Sequence, residues 1–394
     1  MNIDTAPSGA VAAPRPRRAT ESRWEAQRLG RIARRLAGVP IPFEIAHDGR
    51  LHRFGDGAAA FRVVAKDRAG LAALGSLDQG KIAEAYLSSA IDLEGDLLAF
   101  LALRDHVPDR HPLHFLWRFL HPLLVGRTSM NAAAIRSHYD RDPEFFLSFL
   151  GAPRCYTQAV FERADEPIEA AFARKFDFVL SACRLGPGSR ILEVGPGWGA
   201  FAEYVGRRGV HVTGITNSRY SQSYMEALGA RLELPLRVVF GDIFDYRPQE
   251  QYDAIVIMGV TEHLPQYRSL IRKCAELLKP GGHLFLDAIA ARVKYLASSF
   301  IYRYIFPGNH SFLLLHDFLA AVAESRFKLR AVYDDQWSYF LTFHRWARNF
   351  EANRERVVAR FGEREYRLFH LYLWGSTHGF ASDRLQCYRM VLEG

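Results

Sequence analysis

Arg190-Ile191-Leu192-Glu193-Val194-Gly195-Pro196-Gly197-Trp198-Gly199 is the stretch that decides the fold. Ile191, Leu192 and Val194 form a short apolar run closed by glycine, which reads as a buried strand. Gly195, Gly197 and Gly199 follow at alternate positions, and without Cβ atoms they let a ligand approach the backbone closely. Ala200–Gly206 then reads as a helix whose first N–H groups lack intrahelical partners and favour an electron-rich ligand. More than one class of cofactor uses a turn of this kind, so the turn alone does not choose between them.

The flanking sequence narrows the choice. Glu193 lies inside the strand, two residues before the first glycine. A second strand is predicted at 210–216, and Phe240-Gly241-Asp242 follows it. The strand Tyr252–Met258 leads into Glu262-His263, and Leu278-Lys279-Pro280-Gly281-Gly282 precedes a strand at 283–289. This order resembles the core of S-adenosylmethionine-dependent methyltransferases, with Glu193 in the place of their first motif. The resemblance implies an α/β fold: a doubly wound, Rossmann-like class I methyltransferase domain with helical insertions at 300–315 and 349–374.

With 394 residues the chain is long enough for two domains, and 49% apolar with 24% charged residues is ordinary for a globular protein. The formal net charge of +8 comes mostly from arginine and would attract anionic lipid or nucleic acid. Cys155, Cys183, Cys274 and Cys387 are scattered with no CxxC pair, which predicts a reducing, cytoplasmic setting and no metal site. Residues 1–18 have no apolar segment of the signal-peptide kind. The apolar stretches at 114–125 and 312–322 are broken by Arg118 and His121 and by His316 and Asp317, so no membrane span is expected.

Residues 1–18, rich in Ala, Pro and Arg, are expected to be disordered. Residues 20–36 read as a helix with Trp24, Leu29, Ile32, Ala33 and Leu36 on one side and arginines on the rest. Such a helix either lies on an anionic membrane or docks on its own domain. From residue 40 to 100 the pattern is α+β, with strands near Phe43 and Ala60, a turn at His47-Asp48-Gly49 and helices near 69–74 and 81–89. The segment 106–130 reads as a linker and helix.

Asp78-Gln79-Gly80-Lys81-Ile82-Ala83-Glu84-Ala85-Tyr86, with Ile91-Asp92-Leu93-Glu94-Gly95-Asp96-Leu97, resembles the N-terminal domain of bacterial cyclopropane fatty acid synthases. Ser137-His138-Tyr139-Asp140, Phe145-Phe146-Leu147-Ser148-Phe149-Leu150 and Cys155-Tyr156-Thr157-Gln158-Ala159-Val160-Phe161-Glu162 resemble the cyclopropane fatty acid and mycolic acid methyltransferase family. So do Gly214-Ile215-Thr216-Asn217-Ser218, Phe306-Pro307-Gly308 and Gly379-Phe380-Ala381-Ser382-Asp383-Arg384-Leu385-Gln386. The resemblance runs from about residue 40 to the end. It implies a small α+β, sterol-carrier-protein-like lipid-handling domain at 37–125 and the methyltransferase domain at 126–394, which follow the tail and basic helix read at 1–36.

The family also implies residue roles. S-adenosylmethionine is the cofactor, with Gly195 and Gly197 at its methionine end and Glu193, in the strand just before the turn, as a further contact. Thr216 and Gln222 take the place of the usual ribose-holding acid. Tyr156 and Thr157 close over the ligand, and Asp242 stands near the adenine, although the tryptophan of the mycolic acid enzymes is Gly241 here. The acceptor is a cis double bond in a phospholipid acyl chain. An alkene is a poor nucleophile, so positioning in a dry slot carries much of the catalysis, and aromatic faces stabilise the carbocation that follows. Phe300, Tyr302, Tyr304, Phe306, Trp337 and Tyr339 are the candidates, Tyr339 first among them.

In the family a bicarbonate, held by Cys, Glu, His and Tyr, removes the last proton. Here Glu262 and Tyr339 match, whereas Gln158 replaces the Cys and Asp287 the His. Both departures argue against a bound bicarbonate. If Glu262 and Asp287 face one pocket, one carboxyl is driven to higher pKa and the other takes the proton. The expected enzyme works peripherally on the inner membrane surface on unsaturated phospholipid, with no nucleic acid partner; a homodimer is compatible with it. The product is a cyclopropane or, without ring closure, a methyl-branched unsaturated chain. A sphingolipid or isoprenoid acceptor is a rival, and so is a lipid-binding protein built on a decayed methyltransferase.

Overall fold

The computed structural model describes residues 22–107, 109, 142–293, 298–306 and 311–394. The expectations for residues 1–18, for most of 106–130, for Ser137-His138-Tyr139-Asp140 and for Pro307-Gly308 lie outside the described residues.

The N-terminal part is built on a four-stranded sheet of order β2-β1-β3-β4: β1 Phe43–His47, β2 Arg50–Phe54, β3 Phe61–Ala65 and β4 Ile91–Gly95. Asp48 and Gly49 both have positive φ, at 48° and 71°, the conformation that joins two strands by a tight turn with the correct twist. Phe43 and Ile45, with Phe61, Val63 and Ala65, point into a shared apolar core. Helices Arg68–Ser76 and Gln79–Leu87 begin at Asp67 and Asp78, whose side chains cap the first turns. The β4 strand runs through the Asp92–Glu94 motif.

The basic helix spans Arg23–Arg35 and starts with a capping box between Ser22 and Glu25. Leu29 and Ile32 are buried in the small core. Trp24 lies between two guanidiniums, Arg68 at 4.5 Å and Arg28 at 5.5 Å from the ring centre. Ala33, expected on the inner side, is exposed. The apolar stripe is thus consumed by docking, and Arg23, Arg31, Arg34 and Arg35 face solvent.

The larger sheet has seven strands in the order β10-β11-β9-β8-β5-β6-β7. Its strands are β5 Arg190–Val194, β6 His211–Thr216, β7 Leu236–Phe240, β8 Tyr252–Met258, β9 Leu278–Ala290, β10 Lys328–Asp334 and β11 Gln386–Glu393. β5 to β9 are mutually parallel, and β11 is antiparallel to β9 and to β10. Ile191 and Leu192 in β5 and Ala254 to Ile257 in β8 are fully buried, as expected of strands covered on both faces. The strand order reverses between β5 and β8, since the chain winds outward from β5 to β6 and β7 and then returns to β8 on the other side, and crevices for ligands form at such a point, beyond the carboxyl ends of the strands.

Of the expected helical insertions, the stretch at 300–315 contains one wide helical turn, Ile301–Ile305, and the start of helix Leu315–Ala323. The second expected insertion falls within three helices, Gln336–Ala352, Arg354–Phe361 and Glu363–Ala381. These pack with helix Pro143–Leu150 around Phe145, Phe149, Trp346, Phe350 and Phe369, with Phe145 and Phe369 edge to face at 4.5 Å. Among the described residues no helix is long and apolar enough to cross a membrane.

Candidate active site

A cleft of about 400 Å³ opens at the ends of β5, β6 and β8. The glycine turn forms its floor. Gly195, Gly197 and Gly199 have φ of 69°, 53° and 73°. A Cβ at Gly195 would come within 2.5 Å of Val260, whereas one at Gly197 would meet no atom within 4 Å. Gly197 therefore leaves open exactly the side on which a ligand would lie against the backbone.

Seven of the eight residues predicted for the cofactor line this cleft: Tyr156, Thr157, Glu193, Gly195, Gly197, Thr216 and Asp242. The eighth does not. Gln222 turns along its own helix, its amide oxygen accepting from Arg219 at 3.0 Å and its Nε2 donating to Glu226 at 2.8 Å. Ser221, one position earlier and so about 100° around the helix, lines the cleft instead and donates to the Gly197 carbonyl at 2.7 Å. Thr216 Oγ1 accepts from Ser218 N at 3.2 Å, and Asp242 accepts from Phe244 N at 2.9 Å while facing the cleft. Glu193 is 4% exposed, and burial pushes its carboxyl up to about 8. One of its oxygens, Oε2, has no hydrogen-bond partner among the described residues.

A second, smaller chamber of about 40 Å³ adjoins the cleft. Tyr156, Gly259 and His263 line both spaces. The chamber is otherwise apolar and aromatic, with Phe306, Phe343, Tyr339 and Tyr372 in its wall, and among the described residues Glu262 is its one carboxyl. Glu262 is 3% exposed, and its Oε1 accepts from Ile289 N at 2.6 Å while Oε2 has no hydrogen-bond partner among the described residues. Burial pushes this carboxyl up to about 8 and pushes the His263 imidazole down to about 4, so the histidine is neutral. Tyr339 stacks on Phe380 at 4.7 Å. Of the other aromatic candidates, Phe306 is in the chamber wall. Trp337 is 48% exposed, and the Tyr304 hydroxyl donates to Glu84.

Asp287 and Gln158 line neither space. The expected pair of facing carboxyls is not formed. Asp287 Oδ2 makes an ion pair with Lys175 Nζ at 2.7 Å, and both side chains are fully buried. Its Oδ1 accepts from Thr157 Oγ1 at 2.8 Å and from Gly259 N at 3.0 Å. Lys175 Nζ also donates to the Gln158 carbonyl at 2.9 Å, and the Gln158 amide donates to Asp335, which pairs with Arg389 at 3.0 Å. An ammonium and two hydrogen-bond donors surround the Asp287 carboxyl in the interior; a buried carboxylate without such partners would be far too costly. Gln158 and Asp287 thus brace the loop behind the cleft, and at Glu262 in the chamber the Asp287 charge is opposed by that of Lys175.

The model of the family described as mycolic acid cyclopropane synthetase matches residues 127–390. Sphingolipid C9-methyltransferase A of Emericella nidulans is 29% identical over 329 residues, which cover 78% of this chain and 63% of that protein. The chain therefore spans less than two thirds of that relative's length. The probable fatty acid methyltransferase Rv3720 of Mycobacterium tuberculosis is 28% identical over 291 residues, covering 70% of this chain and 66% of the relative. Among solved structures, mycolic acid cyclopropane synthase CmaA1 complexed with SAH and CTAB superposes with a TM-score of 0.62 at 25% identity, covering 67% of this chain and 98% of that one.

Proposed function

The chain belongs to the mycolic acid cyclopropane synthetase family, its larger sheet has the class I S-adenosylmethionine-dependent methyltransferase fold, and on that premise we propose that it methylates a carbon–carbon double bond in a lipid chain. The observation that carries this is the chamber: a dry aromatic slot with a single carboxyl, sharing Tyr156, Gly259 and His263 with the cofactor cleft.

The cleft fits S-adenosylmethionine on its own features. Gly197 leaves room against the backbone, and the unpartnered Oε2 of Glu193 suits a ligand ammonium. When bound, the cofactor supplies an electrophilic methyl group on a sulfonium sulfur. Tyr156 and Gly259 position the alkene beside it and keep water out. Transfer of that methyl to one alkene carbon would leave a cation on the neighbouring carbon of the chain, inside the slot. The faces of Tyr339 and Tyr372 stabilise that charge, and neutral His263 does not oppose it.

Glu262 then takes the proton. Among the described residues it is the one carboxyl that lines the chamber, one of its oxygens has no hydrogen-bond partner there, and a raised pKa makes its carboxylate a stronger base than a solvated one. Two of the four positions that the family resemblance assigns to bicarbonate, Gln158 and Asp287, lie outside the chamber, which supports proton loss without that anion. Loss from the carbon flanking the cation leaves a methyl-branched, still unsaturated chain. The leading relatives named for sphingolipid methylation favour a second acceptor, a sphingolipid base, over the phospholipid acyl chain.

The test offers methyl-labelled S-adenosylmethionine with vesicles of unsaturated phospholipid, or of unsaturated ceramide, in buffer depleted of bicarbonate. Mass and proton-resonance spectra of the recovered chains identify the product. Label in a branched alkene supports the proposal. Upfield cyclopropyl protons that depend on added bicarbonate overturn the proton route, and no label in either lipid overturns the acceptor.

A further inference from the structure

Lys175 and Asp287 are fully buried, yet neither side chain lines the cleft or the chamber. Stability alone does not call for such a pair, because apolar side chains of similar volume in its place are commonly neutral or stabilising. What the pair holds is more specific. Asp287 takes the Gly259 N–H twice, with Oδ1 at 3.0 Å and with its backbone carbonyl at 3.2 Å, and Gly259 has a φ of 63°. Gly259 lines both the cleft and the chamber. The same Oδ1 accepts from Thr157 Oγ1 at 2.8 Å, and Thr157 lines the cleft.

A second arm reaches the aromatic wall of the chamber. Lys175 Nζ donates to the Gln158 carbonyl at 2.9 Å, and Gln158 Nε2 donates to Asp335 Oδ2 at 3.2 Å. Asp335 stands directly before helix Gln336–Ala352, and its carbonyl accepts from Tyr339 N at 2.8 Å. Tyr339 lines the chamber. One buried network therefore supports both the ledge at Gly259, where cleft and chamber meet, and the first turn of the helix that carries Tyr339.

We propose that Lys175 and Asp287 are positioning residues for methyl transfer: through Gly259 and Thr157 on one arm, and Gln158 and Asp335 on the other, they hold the ledge at a fixed spacing from the Tyr339 face. This role rests on the alkene methylation proposed above. The Asp287 carboxyl makes the hold directional. One oxygen takes donors from two different segments while the other faces the ammonium, which an apolar pair cannot reproduce. A ledge displaced by about 1 Å is felt in the rate more than in binding, since such a misplacement can cost about 10²-fold.

The experiment compares the full native chain with an apolar variant, Lys175→Met with Asp287→Leu, and an amide variant, Lys175→Met with Asp287→Asn. Denaturant titration checks that both are folded. Calorimetry reads S-adenosylhomocysteine affinity, single-turnover transfer of labelled methyl to unsaturated phospholipid or ceramide reads the rate, and hydrogen exchange at the Gly259 amide of glycine-labelled protein reads the ledge. The apolar variant should bind S-adenosylhomocysteine within about three-fold of the native chain but transfer methyl about 100-fold more slowly. Its Gly259 amide should exchange about ten-fold faster, the scale of one lost hydrogen bond. The amide variant keeps an acceptor for Gly259 and Thr157 and should regain most of both losses. Native-like transfer by the folded apolar variant overturns the proposal, as does an amide variant no faster than the apolar one. If the native chain labels neither lipid, the acceptor reading fails and Gly259 exchange decides alone: native protection in the apolar variant overturns the hold on the ledge, and faster exchange restored in the amide variant sustains it.

Discussion

Glu193 and Glu262 are buried carboxyls with an unpartnered oxygen each, and both are pushed up to about 8 by burial. In the unfolded chain they would ionise near 4.5, so between about 4.5 and 8 the native state holds protons that the unfolded state releases. Their contribution is therefore complete in acid and is lost as pH rises through that window, at about 1.4 kcal/mol per unit of pKa difference. Urea midpoints of the ligand-free protein should fall from pH 5.5 to pH 8.5 more steeply than those of Glu193→Gln or Glu262→Gln; parallel curves contradict the burial account. Turnover has the opposite slope, because the basic form of Glu262 grows with pH. Methyl transfer should rise toward a pH of about 8, and Glu262→Gln should remove that rise and slow the reaction by roughly 10²-fold or more. A native-like pH–rate profile in Glu262→Gln would take the proton away from this residue.

At the level of elements, the turn between β5 and helix Ala200–Gly206 and the pair of β9 with helix Ile168–Ala182 carry separate predictions. Gly197→Val places a branched side chain at φ 53° in the open cleft, a backbone region hostile to β-branched residues, and should abolish saturable S-adenosylmethionine binding in calorimetry. Lys175→Met leaves Asp287 buried without its ammonium and should destabilise the fold by about 3–5 kcal/mol, which Asp287→Leu in the same chain should largely reverse. Denaturant titration of the single and double variants reads this directly; additive losses would show that the two side chains are uncoupled. The strand order and the glycine turn were legible because they are local patterns of hydrophobicity and backbone freedom. So was most of the cleft, since its residues sit at strand ends. Lys175 was not: a lysine in an amphipathic helix looks solvated, and its partner is 112 positions away, so nothing local marks it. Gln222 was misplaced for a related reason, as one residue of helical rotation separates the cleft from solvent. Asp287 was visible as an oddity, but which space it faced depended on that distant lysine.

For the molecule as a whole, the arginines of helix Arg23–Arg35 offer an anionic membrane charge but no free apolar stripe, since Leu29 and Ile32 are already buried. Arg34→Glu with Arg35→Glu should therefore reduce co-sedimentation with anionic vesicles at low salt and change nothing at high salt, where the attraction is screened. Sedimentation that survives the double substitution would locate the contact elsewhere. Arg367, 7% exposed, ties the small sheet to helix Glu363–Ala381 by donating to the Tyr86 and Ile91 carbonyls at 3.1 Å and to Asp92 at 2.5 Å. Next to it the Tyr86 hydroxyl meets His370 at 2.7 Å, and the other nitrogen of that ring lies 3.0 Å from Glu351. Buried bonds of this kind do not depend on the peptide that joins the two parts. Produced as two separate polypeptides, the part that carries the small sheet and the part that carries the seven-stranded sheet should therefore find each other in solution and elute together, as the halves of a split protein do, and Arg367→Ala should let them part.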